Sequence, residues 1–274
     1  MNATARNLAR QVGNVPVRED SLLSEIQRLN PSQSAKMRND PHEASESENE
    51  ATPSLFTVVF AGEFNAGKST LINALLGKEL LESGVLPTTD AVTILMGADD
   101  NATISSNEVG TANTLTNSSQ LHILPTSSHP ILSDLCLIDT PGTNALNSHT
   151  STTSRILHDA DLIIFVTSAD RPFSSSEKEL LSSTKGYSKR VVVAINKIDI
   201  LERSGGDHGE DAKQRVLEYV TDHAAKLLGG RPVVIPLSGR DALSAKKMYR
   251  RTDGSGGNEE GIWKRCNFEA LERL

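Results

Sequence analysis

The sequence predicts an α/β fold in which a mainly parallel β-sheet has helices on both faces. Apolar runs of strand length alternate with helical stretches from residue 55 onward, and strands buried on both faces are typically near-continuous apolar runs. Aromatic residues make up only 4% of the 274 residues, so the core must consist mainly of aliphatic side chains. The predicted strands are Phe56–Ala61, Val92–Met96, Leu135–Ile138, Leu162–Val166, Val191–Ile195 and Val233–Leu237.

Helical stretches lie between these strands. Ser174 is followed three residues later by Glu177, a capping-box spacing that predicts a helix start. The predicted helices are Lys68–Leu76, Ser174–Ser183, Glu210–Leu228 and Asp241–Met248. The polar segments are expected to be a β-ribbon or long loop over 99–130 and flexible insertions over Ser204–Gly209 and Thr252–Gly261.

The first 54 residues differ in composition from the rest. Apolar residues from Leu22 to Leu29 are spaced for one helical stripe. Residues 30–54 are rich in Ser, Asn, Glu and Pro, and such a segment buries too little apolar surface to offset its ordering entropy. We therefore expect a short N-terminal helix and a disordered linker over 1–54, a main domain over 55–250, and a flexible insertion and a helix start over 251–274.

Charge and cysteine content exclude several classes of protein. The chain has 28 Lys and Arg against 35 Asp and Glu, a net charge of −7, which argues against a nonspecific nucleic-acid binder. Two cysteines, Cys136 and Cys266, are too few for a disulfide scaffold or a four-cysteine zinc site. The sequence has no run of 18 apolar residues and no visible secretory signal, so we expect an intracellular protein.

Residues 62–69, Gly-Glu-Phe-Asn-Ala-Gly-Lys-Ser, match the phosphate-binding pattern G-x-x-x-x-G-K-[ST]. An apolar strand precedes the loop and a helix follows it, which is the context the pattern requires. Successive backbone N–H groups in such a loop surround a phosphate, with Lys68 reaching the β- and γ-phosphates and Ser69 binding Mg²⁺. The nucleotide-binding residues predicted here are Gly62, Asn65, Ala66, Gly67, Lys68, Ser69 and Thr70.

Two further motifs follow predicted strands. Asp139-Thr140-Pro141-Gly142 places a carboxylate where the Mg²⁺ of a nucleotide needs an anion, and Gly142 can donate its N–H to the γ-phosphate. Asn196-Lys197-Ile198-Asp199 places a carboxylate that can accept from guanine N1–H and the 2-amino group together, a pattern that adenine cannot supply. Asn196 is expected to link this loop to the phosphate loop, and Lys197 to stack its stem on the base.

The stretch Leu237-Ser238-Gly239-Arg240 follows the last predicted strand and is positioned to donate a backbone N–H to guanine O6. Ser238 and Gly239 therefore complete the predicted nucleotide-binding residues. The order of the four motifs, each at the end of a strand, predicts a GTPase domain of the P-loop NTPase class with GTP as substrate and Mg²⁺ as cofactor.

Three stretches resemble one branch of the dynamin superfamily: GEFNAGKSTLINALLG at 62–77, GVLPTTDAVT at 84–93 and ADRPFSSSE at 169–177. The branch is that of bacterial dynamin-like and plastid fuzzy-onions-like GTPases, more distantly similar to mitofusins. The resemblance covers 55–250 and implies a dynamin-type GTPase domain. Residues 268–272, FEALE, resemble the first turns of the family's helical neck, truncated here.

The resemblance also implies roles for individual residues. Thr89, or alternatively Thr88, would complete the Mg²⁺ shell in switch I, so the implied metal ligands are Ser69, Thr89 and Asp139. The implied catalytic residues are Lys68, Thr89 and Gly142. Arg171 is interpreted either as a charge-stabilising donor to a second GTPase domain or as an ordinary surface ion pair.

The sequence departs from the family pattern at the water-positioning residue. Phe64 stands where conventional dynamins have a glutamine, and Thr143 stands where small GTPases have theirs. Neither side chain can orient the attacking water through an amide. Basal hydrolysis is therefore expected to be slow and to depend on switch backbone or on a partner.

The expected function is Mg²⁺-dependent hydrolysis of GTP to GDP, with homodimerisation through GTPase domains driving membrane remodelling by a helical region absent from this chain. Analogy with the family implies a peripheral location at a plastid membrane, thylakoid or envelope. One alternative is an Era-like assembly GTPase acting on the ribosome or on tRNA modification, since these share the phosphate-loop and Asp-Thr-Pro-Gly patterns. Another is a binding module that retains GTP and scarcely hydrolyses it.

Overall fold

The computed structural model describes residues 55–82, 92–98, 113–116, 119–125, 129–142, 150–187, 190–202, 207–251 and 257–274. The N-terminal helix and linker expected over 1–54 lie outside these residues. In the described part of the chain, eight strands form one sheet. They are β1 Phe56–Gly62, β2 Val92–Ala98, β3 Asn113–Thr116, β4 Ser119–Pro125, β5 Leu135–Asp139, β6 Leu162–Ser168, β7 Arg190–Asn196 and β8 Val233–Pro236.

The same residues contain eight α-helices. They are α1 Lys68–Leu76, α2 Thr150–Asp159, α3 Ser175–Thr184, α4 Asp199–Glu202, α5 Asp207–Leu228, α6 Gly239–Arg251, α7 Gly257–Cys266 and α8 Glu269–Glu272. Short 3₁₀ turns lie at Pro130–Ser133 and Lys185–Tyr187. Among the residues described, no helix combines the length and the apolar character that a membrane span requires.

The strand order is β3-β4-β2-β5-β1-β6-β7-β8. The five neighbouring strands β5, β1, β6, β7 and β8 run parallel to one another. β1 lies between β5 and β6, with Val58 opposite both Leu137 and Leu162. In an open parallel sheet, ligands bind at the carboxyl ends of the strands. The expected α/β class with a mainly parallel sheet is confirmed, and the loops that follow β1, β5, β7 and β8 all lie at one edge.

Alternating side chains of the central strands supply the cores on the two faces of the sheet. On β1, Val58 and Phe60 pack in the core that also contains Leu71 and Ile72 of α1. Val59 and Ala61 point to the opposite face, where the core includes Ile156 of α2. Because both faces are covered, β1 is buried along nearly its whole length. This burial explains why the strand is a near-continuous apolar run.

The edge of the sheet formed by β2, β3 and β4 contains antiparallel as well as parallel pairs. β2 runs antiparallel to β5 and parallel to β4, and β3 pairs antiparallel with β4. Of the two structures expected within 99–130, the described residues form the β-ribbon. The helix α2 was not predicted, because Thr150–Asp159 is rich in Ser and Thr and its apolar residues, Ile156 and Leu157, occur only near its end.

The prediction of two flexible insertions is wrong over part of each segment. Helix α5 begins at Asp207, within the expected insertion Ser204–Gly209, and helix α7 begins at Gly257, within Thr252–Gly261. For Thr252–Gly261, the physical reason is that the chain following this segment is buried in the core. Phe268 is fully buried in the same core as α1, and its ring lies 6.1 Å from that of Trp263. The interpretation of the last residues as the start of a neck stays a prediction.

Replacing Phe268 with alanine should lower the free energy of unfolding by about 3 to 5 kcal/mol, the usual cost of removing a fully buried phenylalanine. Thermal and urea unfolding followed by circular dichroism measure the loss. Replacing the exposed Tyr249 with alanine is the matched control, since its ring is 63% exposed. A change below about 1 kcal/mol for Phe268→Ala would contradict the packing of the C-terminal segment into the core.

Candidate nucleotide site

The loop after β1 is shaped by backbone conformations that favour glycine. Gly62 has φ +150° and Gly67 has φ +95°. A Cβ on Gly62 would lie 2.1 Å from the carbonyl oxygen of Val166, and one on Gly67 would lie 2.2 Å from Nδ2 of Asn196. Asn65 also has a positive φ, 61°, which Asn tolerates better than most residues. The two glycines of the motif are therefore required by close approach as well as by conformation.

Lys68, the first residue of α1, is 7% exposed. Its ammonium donates to the carbonyl oxygens of Gly62 at 3.2 Å and Glu63 at 3.0 Å. Burial lowers the pKa of Lys68, while the negative charge of Asp139 opposes that shift. The fold thus keeps a poorly solvated cation inside the loop, where a phosphate would be a stronger partner than two carbonyls.

Ser69 and Asp139 lie together below the phosphate loop, with the Ser69 hydroxyl donating to Asp139 Oδ2 at 2.5 Å. Asp139 is 1% exposed, and its Oδ1 has no hydrogen-bond partner among the residues that the structure describes. Burial raises the pKa of Asp139, against the opposing effects of Lys68 and of the Ser69 hydrogen bond. A hydroxyl beside a buried carboxylate with an unused oxygen fits Mg²⁺, which is bound through a few oxygens together with water and nucleotide phosphates.

Gly142, at the end of the Asp139 motif, lies directly against the phosphate loop. A Cβ at this position would be 2.5 Å from the backbone nitrogen of Phe64 and 2.6 Å from its Cα. Only glycine permits this approach. The contact brings the backbone of Gly142 to the loop in which Lys68 and Ser69 lie.

The side chain of Asn196 joins three loops. Its Nδ2 donates to the carbonyl oxygen of Ala66 at 2.9 Å, and its Oδ1 accepts from the backbone N–H of Gly239 at 3.0 Å. Asn196 is 2% exposed, so both bonds are buried. The expected link between Asn196 and the phosphate loop is confirmed. The second link is new, and it uses the N–H of Gly239 that could otherwise donate to guanine O6.

Asp199 begins helix α4 and is 5% exposed. Its Oδ1 accepts from the Ser238 hydroxyl at 2.7 Å, and its Oδ2 pairs with the guanidinium of Arg240. Lys197 precedes it with φ 64°, a left-handed conformation uncommon for lysine. The strands β7 and β8 therefore bring Asp199 and Ser238 together from positions 39 residues apart.

One cleft of about 460 Å³ connects these groups. Nine of the predicted residues line it: Asn65, Gly67, Lys68, Ser69, Thr70, Gly142, Asn196, Lys197 and Asp199. Gly62, Ala66, Asp139, Ser238 and Gly239 are not among the lining residues. The sequence interpretation missed Arg240, Leu243, Ser244 and Lys247, which also line it. Their spacing of three and four residues on a helix beginning at Gly239 was the available signal.

The loop that carries Arg171 is built on a buried polar network. Thr167 Oγ1 donates to Glu177 Oε2 at 2.9 Å, and the capping box between Glu177 and Ser174 forms as predicted. Phe173 has φ 57° and is 3% exposed, so burial of its ring offsets an unfavourable backbone conformation. Arg171 itself is 76% exposed and lies 3.7 Å from Glu63 of the phosphate loop. Its guanidinium therefore lies near the nucleotide-binding edge.

The remaining predicted residues lie outside the described part of the chain. They are Thr88 and Thr89, the candidates for the switch I hydroxyl, and Thr143, which stands in place of a switch II glutamine. The role expected of Thr89 in metal binding and catalysis stays a prediction.

A family model described as "50S ribosome-binding GTPase" matches residues 57–197, more than half of the chain. The matched segment begins in β1 and ends just after β7, so it contains the phosphate loop, Asp139 and Asn196. The chain belongs to this GTPase family. The relatives reported next support a GTPase domain of the dynamin superfamily.

The chain is 37% identical over 227 residues to a probable transmembrane FZO-like GTPase, chloroplastic, of Arabidopsis thaliana, a match that covers 80% of this GTPase chain and 23% of that protein. It is 26% identical over 245 residues to mitofusin-2 of Mus musculus, which covers 79% of the chain and 32% of that protein. The chain thus spans about a quarter to a third of the length of these relatives.

A solved structure of an oligomerised bacterial dynamin pair is also similar. It is 14% identical, with a TM-score of 0.53, and the match covers 98% of this GTPase chain and 42% of the other. At that identity the similarity shows the fold alone.

Proposed function

We propose that this domain binds GTP with Mg²⁺ and hydrolyses it, and that GTP binding pairs two domains across their nucleotide-binding edges. The observation that supports this most directly is one cleft that has a buried cation at Lys68 and a buried carboxylate at Asp199. The Lys68 ammonium suits phosphate, and the Asp199 carboxylate suits the paired donors of guanine. The same chain therefore offers matched partners to both ends of a guanine nucleotide.

Hydrolysis would proceed by in-line attack of water on the γ-phosphate, with the domain supplying positioning and charge stabilisation. Lys68 would leave the two loop carbonyls for the β- and γ-phosphates, and the backbone N–H groups of 63–69 would surround them. Ser69 and Asp139 would bind Mg²⁺, which neutralises charge on the phosphate oxygens. The backbone N–H of Gly142 would donate to the γ-phosphate.

Pairing of domains is supported by the position of Arg171. Its side chain is 76% exposed yet lies against Glu63 of the phosphate loop, so a second domain facing this edge would find a guanidinium next to its own nucleotide. The Arg171 end of this 3.7 Å ion pair is solvent-exposed, and an ion pair screened by solvent contributes little to stability. Little energy is therefore lost when Arg171 leaves Glu63 for a phosphate of the partner.

Membrane remodelling in a plastid is the wider function that the relatives suggest. The plant relative is described as a chloroplastic transmembrane GTPase, and the chain matches only 23% of its length. We infer that a helical region beyond this domain transmits GTP-driven pairing to the thylakoid or envelope membrane. The domain itself is the GTP-dependent part of that machinery.

The decisive experiment measures GTP turnover against protein concentration while light scattering follows the molar mass. We expect specific activity to rise with concentration, and a dimer to form with GDP and aluminium fluoride but not with GDP alone. The variant Arg171→Ala should lose the concentration dependence, whereas Arg273→Ala, exposed near the C-terminus, should retain it.

Three results would contradict the proposal in different ways. Flat turnover by a monomer in every nucleotide state would overturn pairing and favour an assembly GTPase activated by another partner. Tight GTP binding with no single-turnover hydrolysis would indicate a binding module. Failure to bind GTP at all would overturn the proposed function as a whole.

A further inference from the structure

Four residues around the proposed guanine site form a closed ring of polar contacts. The Ser238 hydroxyl donates to Asp199 Oδ1 at 2.7 Å and accepts from the backbone N–H of Asp241 at 3.2 Å. Arg240 closes the ring, with Nη2 on Asp199 Oδ2 and Nε 3.6 Å from Asp241 Oδ1. The Asp199 carboxylate is therefore contacted on both of its oxygens.

The number of acceptor sites on that carboxylate has a consequence for base recognition. A carboxylate has about four lone-pair sites, two on each oxygen. Ser238 uses one site on Oδ1 and Arg240 uses one on Oδ2, which leaves one site on each oxygen. Guanine presents two donors side by side, N1–H and the 2-amino group, and so requires one acceptor site on each oxygen in a fixed plane.

We infer that Arg240 determines guanine specificity by holding the Asp199 carboxylate in the plane that accepts both base donors. The inference rests on the proposed function, since it requires a guanine base in the cleft. Asp199 is 5% exposed, and the guanidinium compensates its buried negative charge from the cleft side. The paired contacts of Arg240, one with each carboxylate, restrict its own rotation.

Arg240 is a positioning residue in this scheme, because it acts through Asp199 and not on the base. Its removal would allow the carboxylate to rotate about its terminal bond. A rotated carboxylate still satisfies a single N–H with one oxygen, but it does not satisfy two coplanar donors. Removing Arg240 should therefore lower the affinity for guanine more than the affinity for hypoxanthine, which lacks the 2-amino group.

The test measures dissociation constants for GDP, IDP and ADP by fluorescence titration of the whole chain and its variants. For Arg240→Ala we expect GDP affinity to fall about tenfold and the GDP to IDP affinity ratio to fall with it, the effect of one lost charge-assisted hydrogen bond. Arg240→Lys should lose less GDP affinity than Arg240→Ala, because lysine keeps the positive charge although it lacks the planar guanidinium. Arg250→Ala, exposed on the same helix, is the matched control and should change neither value.

The outcomes separate this inference from the proposed function. An unmodified chain with no preference for GDP over ADP would overturn both. A chain that prefers GDP, combined with an unchanged GDP to IDP ratio in Arg240→Ala and Arg240→Lys, would overturn the role of Arg240 alone. Tighter GDP binding by Arg240→Ala would overturn it too, because Arg240 would then compete with the base. The Arg240 side chain is 54% exposed, so both variants should fold, and circular dichroism melts check this.

Discussion

Replacement of Lys68 by methionine should reduce GTP turnover by at least about a hundredfold, the effect of removing one preorganised charge from a developing phosphoryl transition state. Methionine keeps most of the buried stem while it removes the ammonium. In the free protein that ammonium has only the carbonyl oxygens of Gly62 and Glu63 as hydrogen-bond acceptors among the described contacts. The measurement is single-turnover hydrolysis with saturating GTP and Mg²⁺.

The same variant separates function from stability. Since burial lowers the pKa of Lys68, the charged form is disfavoured by the fold, and removing the charge should leave thermal stability unchanged or raise it. Lys264→Met is the matched control, since Lys264 is 73% exposed and pairs only with Glu260 among its described ion-pair contacts. Turnover above about a tenth of the unmodified rate in Lys68→Met would contradict the role proposed for Lys68.

The substitution Asp199→Asn should exchange guanine for xanthine as the preferred base. Asparagine offers one acceptor oxygen and one amide donor, so the second donor of guanine is left without a partner. Xanthine has a carbonyl where guanine has the 2-amino group, and it accepts from the new amide. We expect GDP affinity to fall by roughly a hundredfold or more, because a site built to pair polar groups rejects a mismatched ligand strongly.

Competitive displacement of a fluorescent guanine nucleotide by GDP, XDP and ADP measures this exchange. Asp222→Asn, on an exposed position of α5, is the matched control for the change in charge. Circular dichroism should show an intact fold, since Asp199 lies at the start of a short helix at the end of β7 and not within the apolar core. Equal affinity for GDP and XDP in the unmodified chain would refute a guanine-specific carboxylate at this position.

Local patterns predicted the central strands and the order of the site loops. Val191–Ile195 lies within β7 because it is a continuous apolar run, and Lys68–Leu76 matches α1 end to end because Gly67 and Gly77 flank it. The capping box of Ser174 and Glu177 was likewise predicted from spacing. Helix α2 was not, because its sequence is rich in Ser and Thr and its two apolar residues, Ile156 and Leu157, lie only near its end.

The sequence by itself determined the chemistry available to this domain: a lysine and serine after a glycine loop, and three polar motifs at strand ends. These are local properties, since each motif requires only a strand before it and a turn or helix after it. The tertiary structure alone decided which further partners these groups have, such as Gly239 on Asn196 or Arg240 on Asp199. These two contacts join residues 43 and 41 positions apart, so they depend on strand order and register, which no local pattern encodes.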